Sequence, residues 1–453
     1  MTNPLLNTHV LPPFTAIKPE HIQPAIDQLI EQTKSGLATQ LSQLKDVTWE
    51  SLISPIDQRN DQLNQAWSPV SHLNAVLNTD ELRTAYNNCI GKLAQLETEL
   101  GQNTALFEAY NTLANSAEFT TLTQAQRQAI KLALQGFHLA GVSLPEQQKQ
   151  RFSELSQRLA ELSTKFANNV MDATQAWSLH ITDAESLAGV TESALALAAQ
   201  AATEKGKTGY LLTLDMPCVI AILTYADSRS LREQMYQAFI TRASDQGPQA
   251  GEFDNSALIA ETLKLRHEMA QILGMANAAE HSLAPKMASS TDQVMTFLND
   301  LAAQTKPQAD REFAELSAFA RSELQLDTLQ PWDTGYVSEK LRQQRYAISV
   351  EELRPWFPVE RVLEGLFTIA GKLFDISIEE VKDVDLWHKD AHFYRISRQG
   401  EVIASFYIDL FARENKNGGA WMGVCRTRRK LADGMQLPVA YLTCNFSPAV
   451  DGK

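Results

Sequence analysis

Apolar residues recur every three or four positions along most of the chain up to about residue 330. The clearest case runs from Pro145 to about Trp177. Phe152, Leu155, Leu159, Leu162, Phe166, Val170, Ala173 and Trp177 fall on one stripe. Ser143 with Glu146 fits a capping box at its start. The pattern predicts one long amphipathic helix that buries a single face. A coiled-coil dimer is the alternative, but the strict heptad is not sustained for enough turns. The same spacing at Ile22, Ala25, Ile26, Leu29 and Ile30 predicts a helix within Glu20 to Lys45, after the punctuation of Pro12, Pro13 and Pro19. Further helical segments are expected around 51–68, 80–100 and 123–136, and no repeat of fixed period is evident.

Beyond that helix, Leu179 to Asp183 reads as a short strand or loop and Tyr210 to Leu214 as a strand. Helices are predicted from Thr191 to near Gly206, from Pro217 to Ala226 and from Ser230 to Thr241. Ser, Asp, Gly and Pro crowd 242–254, which reads as an exposed loop. A helix then runs from Asp254 to Leu273, with Gly274 as C-cap, and Ser290-Thr291-Asp292 can cap another long helix to about Glu323. From Pro331 the texture changes. Trp, Tyr, Phe and Pro become frequent and helix alternates with strand. A helix is expected at about Val359 to Phe374. Strands are expected at Asp385 to Arg398 and Val402 to Leu410, around an Arg398-Gln399-Gly400 turn, and again at Pro438 to Phe446. The expected organisation is an N-terminal helical region (1–145), a long-helix region (146–330) and a mixed α/β region (331–453).

The chain has 453 residues, with 44% hydrophobic and 21% charged, an ordinary globular composition. Its net charge of −14 disfavours nucleic acid or an anionic membrane as a main partner. The basic run Arg426-Thr427-Arg428-Arg429-Lys430 reads as a solvated turn or helix face. No segment reaches the length of a membrane span, and the first residues lack a basic stretch followed by an apolar core, so no signal peptide is expected. Cys89, Cys218, Cys425 and Cys444 are scattered, which suits reduced thiols and a cytoplasmic location.

The most informative stretch is Val402 to Trp421. It opens as a strand through Ile403, Phe406, Tyr407 and Ile408, and Asp409 starts a charged, Asn-rich connection that ends in Gly418-Gly419-Ala420-Trp421. Adjacent glycines permit φ > 0 and let another chain approach the backbone. Two readings follow from the residues: an ordinary turn between core strands, which is the simpler, or an exposed strand that pairs with an extended peptide.

The whole run from Asp409 to Gly423 resembles the segment that precedes the zinc helix in the thimet oligopeptidase family, above all in its bacterial branch. More distant members carry His where this chain has Gly419. Asp254-Asn255, Leu265-Arg266, Leu273-Gly274, Lys286-Met287-Ala288, Trp332-Asp333 with Tyr336, Trp356-Phe357-Pro358, Leu373-Phe374 and Trp387-His388 follow the family pattern in order, as do Pro4-Leu5-Leu6 and Leu11-Pro12-Pro13-Phe14 at the start. The resemblance implies a mainly α, multi-helix, two-lobed metallopeptidase architecture around a channel, with a small mixed α/β portion near the C-terminus. It implies a cytosolic zinc metalloendopeptidase that degrades short unstructured peptides, including signal-peptide fragments, and is a monomer when full length. Gly418, Gly419, Ala420 and Trp421 are then expected to bind substrate.

The family's zinc motif, His-Glu-x-x-His on a helix, places two imidazoles one turn apart with the Glu as base. None of the nine histidines has it. His267-Glu268-Met269-Ala270-Gln271 offers Gln271 as second ligand, and His388-Lys389-Asp390-Ala391-His392 has Lys389 in the Glu position at a strand entry. His281 has no partner in the sequence. Structural or surface roles are expected for all of them. The resemblance further implies that the chain is the amino-terminal part of such an enzyme and stops before its zinc helix. No catalytic residue and no metal ligand is therefore assigned: zinc is expected for the full-length enzyme, with none held by this chain, which should be inactive alone. Gly-x-Ser-x-Gly, Gly-Lys-Ser/Thr and Gly-x-Gly-x-x-Gly are all absent. The alternative function is a non-catalytic helical binding or scaffold protein.

Overall fold

A computed structural model describes residues 3–7, 11–431 and 434–448. Helices dominate up to about residue 375. In chain order they are α1 (Pro19–Gln43), α2 (Ser54–Val76), α3 (Asp80–Gly101), α4 (Thr104–Ala114), α5 (Ala117–Thr121), α6 (Gln124–Leu139), α7 (Glu146–Ala176), α8 (Glu192–Glu204), α9 (Met216–Tyr225), α10 (Arg229–Ile240), α11 (Ser256–Ile272), α12 (Ala278–Leu283), α13 (Thr291–Leu324), α14 (Thr334–Tyr346), α15 (Val350–Leu353) and α16 (Val359–Phe374). The long helices fall where the apolar stripes placed them, and mixed sheet is confined mostly to the C-terminal portion, so the mainly α expectation with a small α/β part holds.

Two compact units divide the chain: residues up to Ala167 with Ala257–Asn299, and Asn168–Ser256 with everything from Asp300. In the first unit, Leu106, Ala109, Tyr110 and Leu113 of α4 and Ile130 and Phe137 of α6 form a core with Leu37, Leu52 and Ile53. The α7 stripe packs within the same chain: Phe152, Leu155 and Leu162 meet Leu258, Leu265 and Met269 of α11. Arg151 reaches Glu268 at 2.6 Å and Arg158 reaches Glu261 at 2.6 Å. Both pairs lie seven residues apart on each helix, which fixes an antiparallel register beside the apolar seam. Phe166 departs from the expected stripe, being 42% exposed.

In the second unit, β1 (Ser178–Ile181) pairs antiparallel with β2 (Tyr210–Thr213), and Leu212, Leu214, Val219, Ile222, Leu231 and Met235 form the core beneath them. Nearby, Asp333 is wholly buried between two guanidinium groups, Arg229 at 2.7 Å and Arg232 at 2.9 Å. The Arg232 guanidinium also lies 4.1 Å over the Tyr336 ring. Burial would raise the Asp333 carboxyl, but hydrogen bonds from Arg229, Gln330 and Arg232 outweigh it and keep the group below its ordinary value.

The main sheet of this unit comprises β3 (Ser377–Glu380), β4 (Ala391–Arg398), β5 (Glu401–Phe411), β6 (Trp421–Arg426) and β9 (Val439–Phe446). Its order is β3-β4-β5-β9-β6, with β5 and β9 parallel and the other neighbours antiparallel. A small hairpin, β7 (Arg429–Leu431) with β8 (Gly434–Gln436), lies between β6 and β9 in sequence. The expected hairpin turn is present, with Gln399 at φ 50° and Gly400 at φ 82° between the paired Arg398 and Glu401. The strand entering it begins at Ala391 rather than Asp385. Leu363 and Phe367 of α16 pack on Tyr394, Ile408 and Leu442 of the sheet.

Candidate functional site

β5 is flanked by β4 and β9, and Tyr407, Ile408, Asp409 and Leu410 are buried in succession. Central strands with both faces covered read as such runs. A carboxylate within one needs partners, because an unpaired buried charge is costly. Asp409 has four contacts. Arg413 donates from Nη1 to Oδ1 and from Nη2 to Oδ2, both at 2.7 Å. Lys416 Nζ donates to Oδ1 at 2.7 Å, and Trp387 Nε1 to Oδ2 at 2.9 Å. Burial alone would raise the carboxyl. Hydrogen bonds from Arg413, Lys416 and Trp387 outweigh that and bring it to about 2. The sequence reading had Asp409 opening a charged connection. It lies inside β5, within the strand expected from Val402 to Leu410, opposite Ala391 on one side and Thr443 on the other.

Lys416 is itself buried. Its ammonium also donates to the backbone carbonyls of Asp409 at 3.1 Å and Phe411 at 2.7 Å. Residues 412–417 therefore turn tightly around the Asp409 carboxylate, helped by Asn415 at φ 61°. Lys205, just past the end of α8, holds Glu414 on the outside of this turn at 3.0 Å. Trp387 packs against Tyr407, with ring centroids 5.3 Å apart, and Tyr407 stacks on Tyr441 at 5.6 Å. Burial pushes the Tyr407 phenol well above its usual value, so it stays protonated.

The turn delivers Gly418, Gly419 and Ala420 to the surface as an exposed connection, and Trp421 begins β6. Among the described residues β6 is an end strand of the sheet, paired with β9, Trp421 opposite Thr443 and Gly423 opposite Tyr441. Met422 and Val424 stand exposed on one face of it. A Cβ built on Gly418 meets nothing within 4 Å, and Gly418 has no positive φ. Gly419 also has open space but sits at φ 98°, where a side chain is strained. No close intramolecular packing therefore requires glycine at 418.

The described histidines do not assemble. His267 lies exposed on α11 while Glu268 is committed to Arg151, and Gln271 donates to the carbonyls of Met275 and Ala276. His388 Nδ1 accepts from the Asp390 backbone, and His392 Nδ1 pairs with Glu380 across β3 and β4 at 2.8 Å. Among the described residues no group of three or more His, Cys, Asp and Glu side chains is arranged to hold a metal ion. The described residues thus do not fit a zinc site, and no chemical step through zinc follows from them. All four cysteines are free thiols.

Trp387, Asp409, Arg413 and Lys416 went unassigned in the sequence. The signal was there in retrospect: one acid and two bases spaced four and seven residues on, with an indole upstream, next to a β-rich run.

The architecture, many helices leading into a small mixed sheet, is that of the oligoendopeptidase-type metallopeptidases. A putative oligoendopeptidase F from Bacillus anthracis superimposes with a TM-score of 0.51 at 14% identity, covering 93% of this chain and 62% of that one. The family model described as "Peptidase family M3" matches residues 222–453, and that of the "Neurolysin/Thimet oligopeptidase, N-terminal domain" matches 26–149. Oligopeptidase A of Escherichia coli is 47% identical over 455 residues, covering all of this chain and 67% of the relative. Its Haemophilus influenzae counterpart is 48% identical over the same span and share. The chain belongs to peptidase family M3, and the resemblance drawn from Asp409 to Gly423 is borne out.

Proposed function

We propose that the protein acts on short unstructured peptides as a zinc-dependent metalloendopeptidase of its family, and that Gly418, Gly419, Ala420 and Trp421 supply part of the peptide-binding surface. Signal-peptide fragments are one substrate class of the right kind, short and unfolded, and a cytoplasmic monomer is the expected form. One observation carries the site assignment: an end strand, β6, is entered through an exposed segment whose first glycine has no intramolecular reason to be small. An extended peptide laid along such an edge gains main-chain hydrogen bonds that any sequence can make. Two further facts are compatible with a soluble peptide as ligand. The net charge of −14 argues against polyanionic partners. Among the described residues no helix is long and apolar enough to cross a membrane.

The poor fit of the described residues to zinc favours a second reading for the 453-residue chain by itself, as a non-catalytic peptide-binding protein. The two readings part on metal content and turnover. Peptide binding without stoichiometric zinc and without hydrolysis supports the second, whereas one zinc held per chain with turnover supports the first. The test of the binding surface common to both is Gly418→Val. Peptide affinity is expected to fall while the melting temperature stays near that of the parent, because a Cβ at 418 meets nothing within 4 Å and its φ is not positive. Unaltered affinity sinks the assignment of this segment to peptide binding.

A further inference from the structure

The buried Asp409 cluster lies outside the proposed peptide-binding segment, and its geometry defines what it can do. The carboxylate accepts four hydrogen bonds, from Arg413 twice, Lys416 and Trp387, which fills its lone-pair capacity. The Lys416 ammonium spends its three protons on the Asp409 carboxylate, the Asp409 carbonyl and the Phe411 carbonyl. Neither group has a proton or a lone pair left for a ligand. A catalytic role, a metal-ligating role or direct contact with substrate is therefore ruled out by saturation. The bonds from Arg413 and Lys416 run between the end of β5 and the turn that follows it, and the one from Trp387 comes from the connection before β4. They fix residues 411–416 immediately before Gly418, while pairing of Trp421 with Thr443 fixes the chain immediately after Ala420.

We infer that Asp409, Lys416 and Arg413 form a positioning centre that holds the exposed Gly418-Gly419-Ala420 segment in a peptide-receptive conformation. A three-residue segment with two glycines has large conformational freedom if left to itself. Clamping it at both ends removes the ordering cost that a peptide would otherwise meet on binding. Lys416 is the chief device, because it ties the turn to two carbonyls as well as to the carboxylate. Trp387 is the secondary one. It orients Oδ2 from the connection before β4 and packs against Tyr407. The inference rests on the peptide-binding reading above.

The test uses the 453-residue chain, a fluorescein-labelled unstructured alanine-leucine oligopeptide as probe, and amide hydrogen exchange as second readout. Lys416→Met is expected to weaken peptide affinity about tenfold, as follows if the receptive conformation drops to about a tenth of the population. Exchange across 412–420 should quicken, while β4 and the first half of β5 keep their protection. Trp387→Phe keeps the aromatic packing and loses one hydrogen bond, so it should shift both readouts the same way by less. Unchanged affinity in Lys416→Met beside lost binding in Gly418→Val overturns the positioning role and leaves the binding site standing. Quickened exchange over the whole sheet, equal to that of 412–420, reduces the cluster to a general fold element and likewise overturns it. No binding by the parent chain sinks the site and the inference together. Should Lys416→Met fail to fold, Trp387→Phe decides alone, and parental values for affinity and exchange refute the inference.

Discussion

The Nζ of Lys416 lies 2.7 Å from Oδ1 of Asp409, with both side chains shut off from solvent. Such a pair adds little net stability over an apolar replacement of the same shape, since both charges were taken from water. Removing one partner is a different matter, because the other is left buried and uncompensated. The pair is better understood as fixing one backbone conformation for the turn after β5 than as a source of stability.

Acid should unfold the protein partly through this carboxylate. Asp409 is held at about 2 in the fold, against about 3.9 in an unfolded chain. A depressed folded value means that its contribution is complete above about pH 4 and is lost as pH falls toward about 2. The contribution is roughly 2 kcal/mol, and Asp333, lowered by its two arginines, acts in the same direction. Urea midpoints followed down this range should decline steeply, and less steeply in Asp409→Asn. A flat acid limb in the parent would contradict the ion-pair geometry.

The α7–α11 seam should respond to truncation according to burial. Leu155 is fully enclosed by that seam, so Leu155→Ala is expected to cost about 2–5 kcal/mol. Phe166 lies on the same stripe in sequence but is 42% exposed, so Phe166→Ala should cost clearly less. Equal losses in chemical denaturation would refute the packing described.

Asp333 should be among the least replaceable residues of the second unit. Asp333→Asn leaves the buried Arg232 without its carboxylate, and a loss of roughly 3–5 kcal/mol is expected. Arg229→Ala should cost much less, because Arg229 is half open to water and Arg232 still neutralises the acid. Thermal melts of the two variants give the comparison, and a costlier Arg229→Ala would reverse the assigned roles.

The 453-residue chain should self-associate as its concentration rises. α16 packs the half-buried Val359, Leu363 and Phe367 against the sheet, yet the adjoining stripe of Val362, Leu366, Ile369 and Leu373 is about half exposed or more, with Leu373 at 70%. Contiguous apolar surface of this kind promotes association. Sedimentation should therefore depend on concentration, and Leu366→Glu combined with Leu373→Glu should remove that dependence with little change in melting temperature. A monodisperse parent at high concentration would count against it.

What the sequence determined by itself is whatever depends on local periodicity or on a few adjacent residues. One buried face requires apolar residues every three or four positions, so α1 and α7 could be placed from spacing, and α11 and α13 were marked by their capping residues. Gln399-Gly400 can adopt the positive φ angles of a tight hairpin, so β4 and β5 were joined correctly. The run from Asp409 to Gly423 was specific enough to indicate the family. The tertiary structure alone decided where charges and edges lie. Asp409 and Lys416 look like loop residues because their burial is stabilised by each other, by Arg413 and by a tryptophan twenty-two positions upstream. β6 is short and carries glycine, and its place at the end of the sheet depends on a parallel β5–β9 crossover that no local pattern encodes. Whether Phe166 or the outer stripe of α16 is covered likewise depends on which neighbours arrive, and hydrophobicity along the chain cannot specify that.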